Sequence, residues 1–345
     1  MKFSVLVPVY NVKPYLAECL DSILDQGYED MELIVVNDGS TDGSEEICRE
    51  YEKRFPGRLR LIEQRNRGLL LARRAAIDVA QGDYLIFVDS DDALRADALR
   101  VIDQLLSRTD VDVLLFQASR SPLFDVPYFN HEGLYEDMVD GEFVANETMR
   151  KQLALTHNVN SMWAKAIRRD CVGQGSDYEK YEGLQYGEDL LQMCPIFNKA
   201  RSFAISSEIL YYYRDNNTSI SHHVNASRLD DIRRVRTRLA SYVEKWNSAL
   251  LPFVYANDCV EVFVYCVLCA NRYDFLKASE AIDHARGFEF FRNSSAQGDL
   301  SQIALWKRVG VRLLQKGSIR FFIVIYHTLF LILRALKSGI AARYL

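Results

Sequence analysis

Apolar positions in the first 117 residues alternate between two periods. Phe3–Val9 is an unbroken apolar run, the pattern of a strand buried on both faces. Pro14–Gln26 places Tyr15, Leu16, Cys19, Leu20, Ile23 and Leu24 at helical spacing, and Gly27 closes the segment. Met31–Val36 predicts a second strand. Ser40, Thr41 and Asp42 offer N-caps to a helix reaching Phe55, where Pro56-Gly57 ends it. Leu59–Glu63, Leu69–Ala80, Tyr84–Val88, Arg95–Ser107 and Val111–Gln117 continue the alternation of strand and helix. Repeated βα units require crossovers, so an α/β fold is expected, with a mostly parallel sheet and helices on both faces. Ser121–Asp140 is loop-rich and aromatic. Residues 141–220 mix short helices with strand-like pieces such as Ile209–Tyr213. From Asn225 the pattern is helical, through Arg228–Trp246 and Pro252–Leu276 to the C-terminus.

A chain of 345 residues exceeds one ordinary domain, so two lobes or more are expected. Apolar residues at 49% and charged residues at 26% exclude disorder and coiled coil as whole-chain readings. The net charge of −5 argues against a nucleic-acid binder. It also hides an asymmetry. Ser301–Leu345 holds eight Lys/Arg and no Asp/Glu, whereas the rest holds 34 Lys/Arg against 47 Asp/Glu. A basic tail on an acidic body points to a partner of its own. Phe321–Leu333 is apolar at eleven of thirteen positions, between Arg320 and Arg334. A buried helix, a basic helix in the membrane interface and a spanning helix all remain open. The last is disfavoured because a span needs about 20 apolar residues. Arg233, Arg234, Arg236 and Arg238 read as a solvated helix face or as an anionic-lipid patch. The seven cysteines form no paired CxxC motifs. Cys266 and Cys269 lie in an apolar helical run, so reduced core thiols and a cytosolic setting are expected. The opening MKFSVLVPVY lacks a long apolar signal region, so no cleaved export signal is expected.

In parallel α/β sheets, ligands sit beyond the carboxyl ends of the strands. Those ends read Pro8-Val9-Tyr10-Asn11, Asn37-Asp38-Gly39-Ser40, Asn66-Arg67-Gly68 and Asp89-Ser90-Asp91-Asp92. Three carboxylates within four residues repel one another unless a cation or donors relieve them. Asp89, Asp91 and Asp92 therefore suggest a Mg²⁺ or Mn²⁺ site shared with phosphate oxygens; the bland alternative is a helix N-cap cluster. Gly39 and Gly68 serve either close ligand approach or plain turn geometry. GxGxxG, GxxxxGK[ST] and GxSxG are all missing, which disfavours dinucleotide, P-loop and α/β-hydrolase readings.

These strand-end motifs, in this order and spacing, resemble family 2 glycosyltransferases of the GT-A fold, of the bacterial surface-polysaccharide type. The resemblance covers residues 2–117 and continues more weakly to 222. It implies a nucleotide-sugar-binding half over 1–117 and an acceptor-side half over 118–222; the C-terminal region over 223–345, helical by its periodicity and basic at its end, has no assignment in the family. By the same resemblance Pro8 and Tyr10 flank the base and Asp38 bonds it, while Asn66, Gly68 and Arg73 lie beside the base and diphosphate. Asp89-Ser90-Asp91 matches the DxD motif, with Asp91 the foremost metal ligand and Asp89 nearer the ribose and sugar. Asp189, with Glu188 beside it, matches the catalytic base. Trp163 and Lys165 match an element shaping the acceptor side. Tyr212-Tyr213-Arg214 and Ser219-Ile220-Ser221 resemble a closing element near the diphosphate. The family's ARNxG reads Ala72-Arg73-Arg74-Ala75-Ala76 here, which leaves Arg74 without an implied role.

The implied activity is inverting transfer from a nucleotide sugar, UDP-linked for preference, to a saccharide or lipid-linked acceptor. It would be assisted by Mn²⁺ or Mg²⁺ on the cytoplasmic face of the membrane. A non-catalytic nucleotide-sugar-binding protein and a nucleotidyltransferase are the alternatives. The intact acids argue against the first and Pro8-Val9-Tyr10-Asn11, in place of a Gly-rich loop, against the second. Acidic first turns are common at helix N-termini, so on residue types alone Glu188-Asp189 also reads as such a pair. His222-His223 reads more readily as a surface pair than as ligands.

Overall fold

The computed structural model describes residues 1–128, 142–173, 176–215 and 227–341. The Ser219-Ile220-Ser221 element, the His222-His223 pair and Arg343 lie outside them. The chain forms two compact units, residues 1–219 and 220–345.

The first unit is built on one nine-stranded sheet. Its strands are β1 (Phe3–Val9), β2 (Met31–Asn37), β3 (Leu59–Glu63), β4 (Tyr84–Phe87), β5 (Ala93–Leu94), β6 (Val113–Ser119), β7 (Glu142–Val144), β8 (Lys165–Arg168) and β9 (Phe203–Tyr212). Their order is β3-β2-β1-β4-β8-β6-β9-β5, with β7 also on β9. The pairs β2–β3, β1–β2 and β1–β4 are parallel, as the crossover argument requires. Beyond β4 the sheet is mixed, because β8 enters antiparallel between β4 and β6. The 117/118 boundary falls inside β6, so one sheet runs through both halves.

The helices fall where the apolar spacing put them: α1 (Lys13–Leu24), α2 (Ser44–Arg54), α3 (Leu69–Val79) and α4 (Ala98–Thr109). Leu16, Leu20 and Ile23 of α1 and Leu99 and Ile102 of α4 join the β1, β2 and β4 side chains of one face in a single core. Helix α3 packs on β1 and β2 outside that cluster. Two more helices, α5 (Asn146–Leu155) and α6 (Glu188–Lys199), complete the unit. Residues after β1, β2 and β4 emerge at the carboxyl edge, where Tyr10 is 47% exposed and Asp89 and Asp91 are partly exposed.

The second unit is helical: α7 (Arg228–Asn247), α8 (Leu251–Arg272), α9 (Phe275–Gly287), α10 (Glu289–Gln297), α11 (Leu305–Gln315) and α12 (Ile319–Ala341). Its core gathers around α8, where Phe263 meets Trp306, Phe322 and Tyr326 edge-on. Arg228–Arg272 is long and apolar enough to cross a membrane, but 67% of its apolar window is buried, as in the core of a folded domain. Arg236 corrects the reading of that arginine run as one solvated or lipid-facing face. Its side chain is buried, donating Nε to Asp258 Oδ1 at 2.6 Å and Nη2 to Val254 O at 3.1 Å. Asp258 also accepts from Ser294 at 3.2 Å, so a buried charge is paired as its desolvation demands. All seven cysteines are buried, and none forms a disulfide.

Candidate active site

Two loops at the carboxyl edge depend on glycine. Gly39 has φ +74°, and a Cβ there would lie 2.7 Å from the Asn66 backbone nitrogen. Its small size therefore admits the 64–68 loop. Gly68 caps α3 at φ 88°, ψ 161°, a region almost closed to other residues. Asp38 fastens the same loop. Its Oδ1 accepts from Gln64 Nε2 at 2.6 Å and Arg67 N at 2.9 Å, and its Oδ2 from Gly68 N at 2.8 Å. Asn66 is exposed and turns Oδ1 back to Gly68 N at 3.2 Å. Arg67 pairs with Glu179 and Glu182, and Arg65 with Glu182, holding the loop from the outer side. Pro8 is buried at the end of β1, while Tyr10 leaves its ring open to solvent.

The acidic loop after β4 separates into two roles. Asp92 is 1% exposed and turned inward, which corrects its reading as a third metal-facing carboxylate. It accepts from the Tyr211 hydroxyl at 2.6 Å and from Arg214 N at 2.8 Å. Burial first, then the charges of Asp89 and Asp91, push its pKa well up. The Tyr211 hydroxyl also accepts the Asp89 backbone N–H at 3.1 Å. Arg214 Nε donates to Asp91 O at 2.7 Å, and its guanidinium pairs with Glu18. The acidic loop is thus fastened to β9. Asp89 and Asp91 remain partly exposed, and Ser90 is buried between them.

Arg73 lies between Asp89 and Asp189. It is 1% exposed, donating Nη2 to Asp89 Oδ1 at 2.8 Å and Nη1 to Asp189 Oδ1. Burial alone would lower its proton affinity; the carboxylates of Asp189 and Asp89 more than offset this and hold it charged. One guanidinium therefore fixes two carboxylates from sequence positions 100 residues apart. Asp189 and Glu188 open α6, behind Gly187 in the left-handed region, so both sit at the positive end of the helix dipole. Burial raises both carboxyl pKa values, with the Asp89 charge adding to the shift at Asp189 and Arg73 opposing it at both. Glu188 is pushed up to about 7. The neighbouring Arg74 is structural. It lies over the Tyr178 ring at 4.5 Å and donates to Gly173 O.

Trp163 is sandwiched between Tyr211 and Tyr213, with centroids 5.2 and 5.1 Å away and near-parallel planes. Tyr128 leans on the stack, and Arg120 lies over Tyr128 at 4.7 Å. Lys165 faces inward rather than toward the cleft. Its Nζ donates to Ser161 O at 2.6 Å, Ser161 Oγ at 3.0 Å and Trp163 O at 3.4 Å. Burial pulls its pKa down to about 7, opposed by Asp189. Ala164, between these two, takes φ +55°, a conformation costing about 1–2 kcal/mol for a residue with a Cβ.

Sequence reading did not single out Glu18 or the locking role of Tyr211. The surplus carboxylate in Asp89-Ser90-Asp91-Asp92 was the available signal: where two carboxylates suffice for a cation, a third needs donors of its own. Among the described residues no cluster of three or more His, Cys, Asp or Glu forms a metal cage. Two partly exposed hard-oxygen side chains, Asp89 and Asp91, do fit a Mg²⁺ or Mn²⁺ that takes its other ligands from phosphate and water.

Residues 4–175 match the family model described as Glycosyl transferase family 2. The chain is 30% identical over 223 residues to Glycosyltransferase GlyA of Streptococcus pneumoniae, covering 64% of this chain and 31% of that protein. It is 30% identical to the uncharacterized glycosyltransferase EpsJ of Bacillus subtilis, covering 63% of this chain and 62% of that protein. The chain thus spans less than two thirds of either relative's length. Among solved structures, Staphylococcus aureus TarS 1–349 in complex with UDP-GlcNAc superposes with a TM-score of 0.66 at 19% identity, covering 95% of this chain and 91% of that one. That likeness establishes the shared fold. Sheet, strand-end loops and family match converge: the chain belongs to glycosyl transferase family 2, on the GT-A fold with a helical C-terminal region.

Proposed function

We propose that this chain transfers a sugar, with inversion, from a UDP-type nucleotide sugar to a hydroxyl of a saccharide or lipid-linked acceptor in cell-surface polysaccharide synthesis. The observation that carries the reading is the Arg73 bridge, which holds a strand-end carboxylate and a helix-end carboxylate in one cleft. Transfer needs both. A leaving diphosphate gains charge on one side of the anomeric carbon, and a base must take the acceptor proton on the other.

Tyr10 offers its exposed ring to the base. Asp38 has used three of roughly four acceptor sites, leaving one for a base N–H. Asn66 and Gly68 line the same edge. Asp91, with Asp89, would hold Mn²⁺ or Mg²⁺, which when bound supplies Lewis-acid stabilisation of the diphosphate. Asp189 takes the proton from the acceptor hydroxyl, with Glu188 beside it. A positioned base of this kind contributes about 10²–10⁴-fold. Its raised pKa brings it closer to neutrality, and Arg73 keeps it ionised and aimed. Attack opposite the diphosphate inverts the anomeric centre. The Tyr128, Trp163 and Tyr213 stack, beside a cavity of about 530 Å³ lined by Arg120, Ser121, Val126, Pro127 and Tyr128, is the acceptor side. Trp163 supports it from within the stack, and Lys165 holds the Ser161 and Trp163 carbonyls behind it.

The solved relative TarS was crystallised with UDP-GlcNAc, and its curated name is poly(ribitol-phosphate) beta-N-acetylglucosaminyltransferase; both support a UDP-sugar donor and a cell-wall polymer as acceptor. Seven buried cysteines outside any disulfide support a reducing, cytoplasmic setting. The test is donor hydrolysis across a panel of nucleotide sugars with Mn²⁺. Asp91→Ala and Asp189→Asn should each cost at least 100-fold in rate while melting within a few degrees of the parent. Full rate in Asp91→Ala with Mn²⁺ present overturns the metal assignment, and full rate of acceptor-dependent transfer in Asp189→Asn overturns the base.

A further inference from the structure

Helices α11 and α12 bury one face each and leave the other uncovered. In α12, Phe322, Ile323 and Tyr326 enter the core of the second unit. Phe321, Val324 and Ile325 point the other way, 70%, 60% and 41% exposed, and beyond Tyr326 the side chains of Leu329, Phe330 and Leu331 are all exposed. In α11, Gly310, Val311 and Leu314 face inward, whereas Leu305, Trp306 and Val309 are 68%, 50% and 42% exposed. The Tyr326 hydroxyl donates to Trp306 O at 2.6 Å, so the two helices are pinned together. Scattered exposed apolar residues are ordinary; nine large ones along two joined helices are not. A helix that is apolar all round is normally buried or lies against lipid, and α12 is covered on one side from Phe321 to Tyr326 and on neither side from His327 to Leu331.

The charges say what lies against the other side. Lys307, Arg308, Arg312, Lys316 and Arg320 accompany this face, and no Asp or Glu occurs from Ser301 to Leu345. A second copy docked through the same face would bring like charges together. An anionic surface is complementary to it. The apolar run of α12, Phe321–Leu333 between Arg320 and Arg334, extends only about 20 Å, too short for a hydrocarbon core of roughly 30 Å. A Trp half in water suits the boundary between headgroups and acyl chains.

We propose that the α11–α12 face is a docking surface for an anionic lipid bilayer, lying in the interface rather than spanning it. Trp306, Leu305, Val309, Phe321 and Val324 are its apolar contacts and the five cations its electrostatic contacts. The inference concerns the second unit alone and does not depend on the transferase reading.

The experiment is flotation of the full chain with vesicles of phosphatidylcholine, with and without 30% phosphatidylglycerol. Binding should be at least tenfold stronger to the anionic vesicles, should weaken with salt and should shift Trp emission to the blue. Trp306→Ser with Phe321→Ser, both at exposed positions, should cut vesicle affinity at least tenfold and leave donor hydrolysis in solution unchanged. Arg312→Glu with Lys316→Glu and Arg320→Glu should abolish the preference for anionic lipid. Failure to float at low salt overturns the proposal, as does equal, salt-independent binding to both vesicles. A dimer in light scattering, dissolved by the Trp306→Ser and Phe321→Ser pair and without vesicle binding, also overturns it and assigns the face to a second copy.

Discussion

Tyr211→Phe removes one oxygen and leaves the ring of the Trp163 stack in place. That oxygen is fully buried and serves two partners. It donates to Asp92 Oδ2 and accepts the Asp89 N–H. Losing a hydrogen bond to a charged group costs about 1.5–3 kcal/mol, and stranding a buried N–H costs about 1–3 kcal/mol. Asp92 keeps Arg214 N, and a water in the vacated space would recover part of the loss, so about 3 kcal/mol is the working value. For a unit of this size, roughly 2–4 °C per kcal/mol converts that to a fall in Tm of about 6–12 °C. The hydroxyl also anchors the backbone from which Asp89 and Asp91 project, so the Mn²⁺ concentration giving half-maximal UDP-dependent stabilisation should rise. Thermal melts with UDP and a Mn²⁺ titration measure both quantities. A double-mutant cycle with Asp92→Asn should show a coupling of about 0.5–3 kcal/mol, as for groups in one network. If Tyr211→Phe melts within about 2 °C of the parent with unchanged Mn²⁺ dependence, the hydroxyl does not lock the loop and the division of labour among the three aspartates is wrong.

Arg73→Met leaves two carboxylates without their shared cation. Breaking a buried pair costs about 3–5 kcal/mol. Asp89 and Asp189 are about a quarter exposed, so solvent screening places the loss near the lower end, and a melt within 1 kcal/mol of the parent refutes the bridge. Lys165 has its pKa depressed from its ordinary value to about 7, so the folded state holds this proton less tightly than the unfolded chain. Its contribution is therefore favourable above the unfolded value and is lost as pH falls toward 7, with a limiting slope of about 1.4 kcal/mol per pH unit. Denaturant melts between pH 7 and 10 should show that slope, and Lys165→Met should flatten it; identical slopes in both proteins exclude Lys165 as the source. Ala164→Gly relieves the positive φ beside Trp163 and should stabilise the first unit by up to about 1 kcal/mol, whereas a loss of stability in chemical denaturation shows that the alanine methyl is worth more in packing than its strain costs.

What could be read from the sequence divides along a physical line. Periodicity is a local property, so β1, β2, β3 and α1 through α4 follow from residue spacing within a few positions of their observed ends. The strand-end motifs are local too, and a parallel sheet necessarily gathers them at one edge. The mixed half escaped because β8 is only four residues long and its direction depends on partners far away in the chain. The same limit governs the site. Asp89 and Asp189 are visible in sequence as charged residues near element ends, and Arg73 as a charge inside an apolar helix. Nothing local says that a single guanidinium will join the two aspartates, 100 positions apart, or that Asp92 will turn from the cleft toward a tyrosine on β9. Such long-range pairings leave only an indirect trace, a local excess that chemistry must resolve. Three aspartates in four residues is such an excess, and so is a 13-residue apolar run inside a tail with eight cations and no acid. The first is resolved inside the fold, by Tyr211 and Arg214. The second is resolved there only for the face that carries Phe322, Ile323 and Tyr326. The opposite face of α12 and the outer face of α11 keep their excess exposed, and a surface that the fold leaves unresolved is where a partner from outside the fold must be sought.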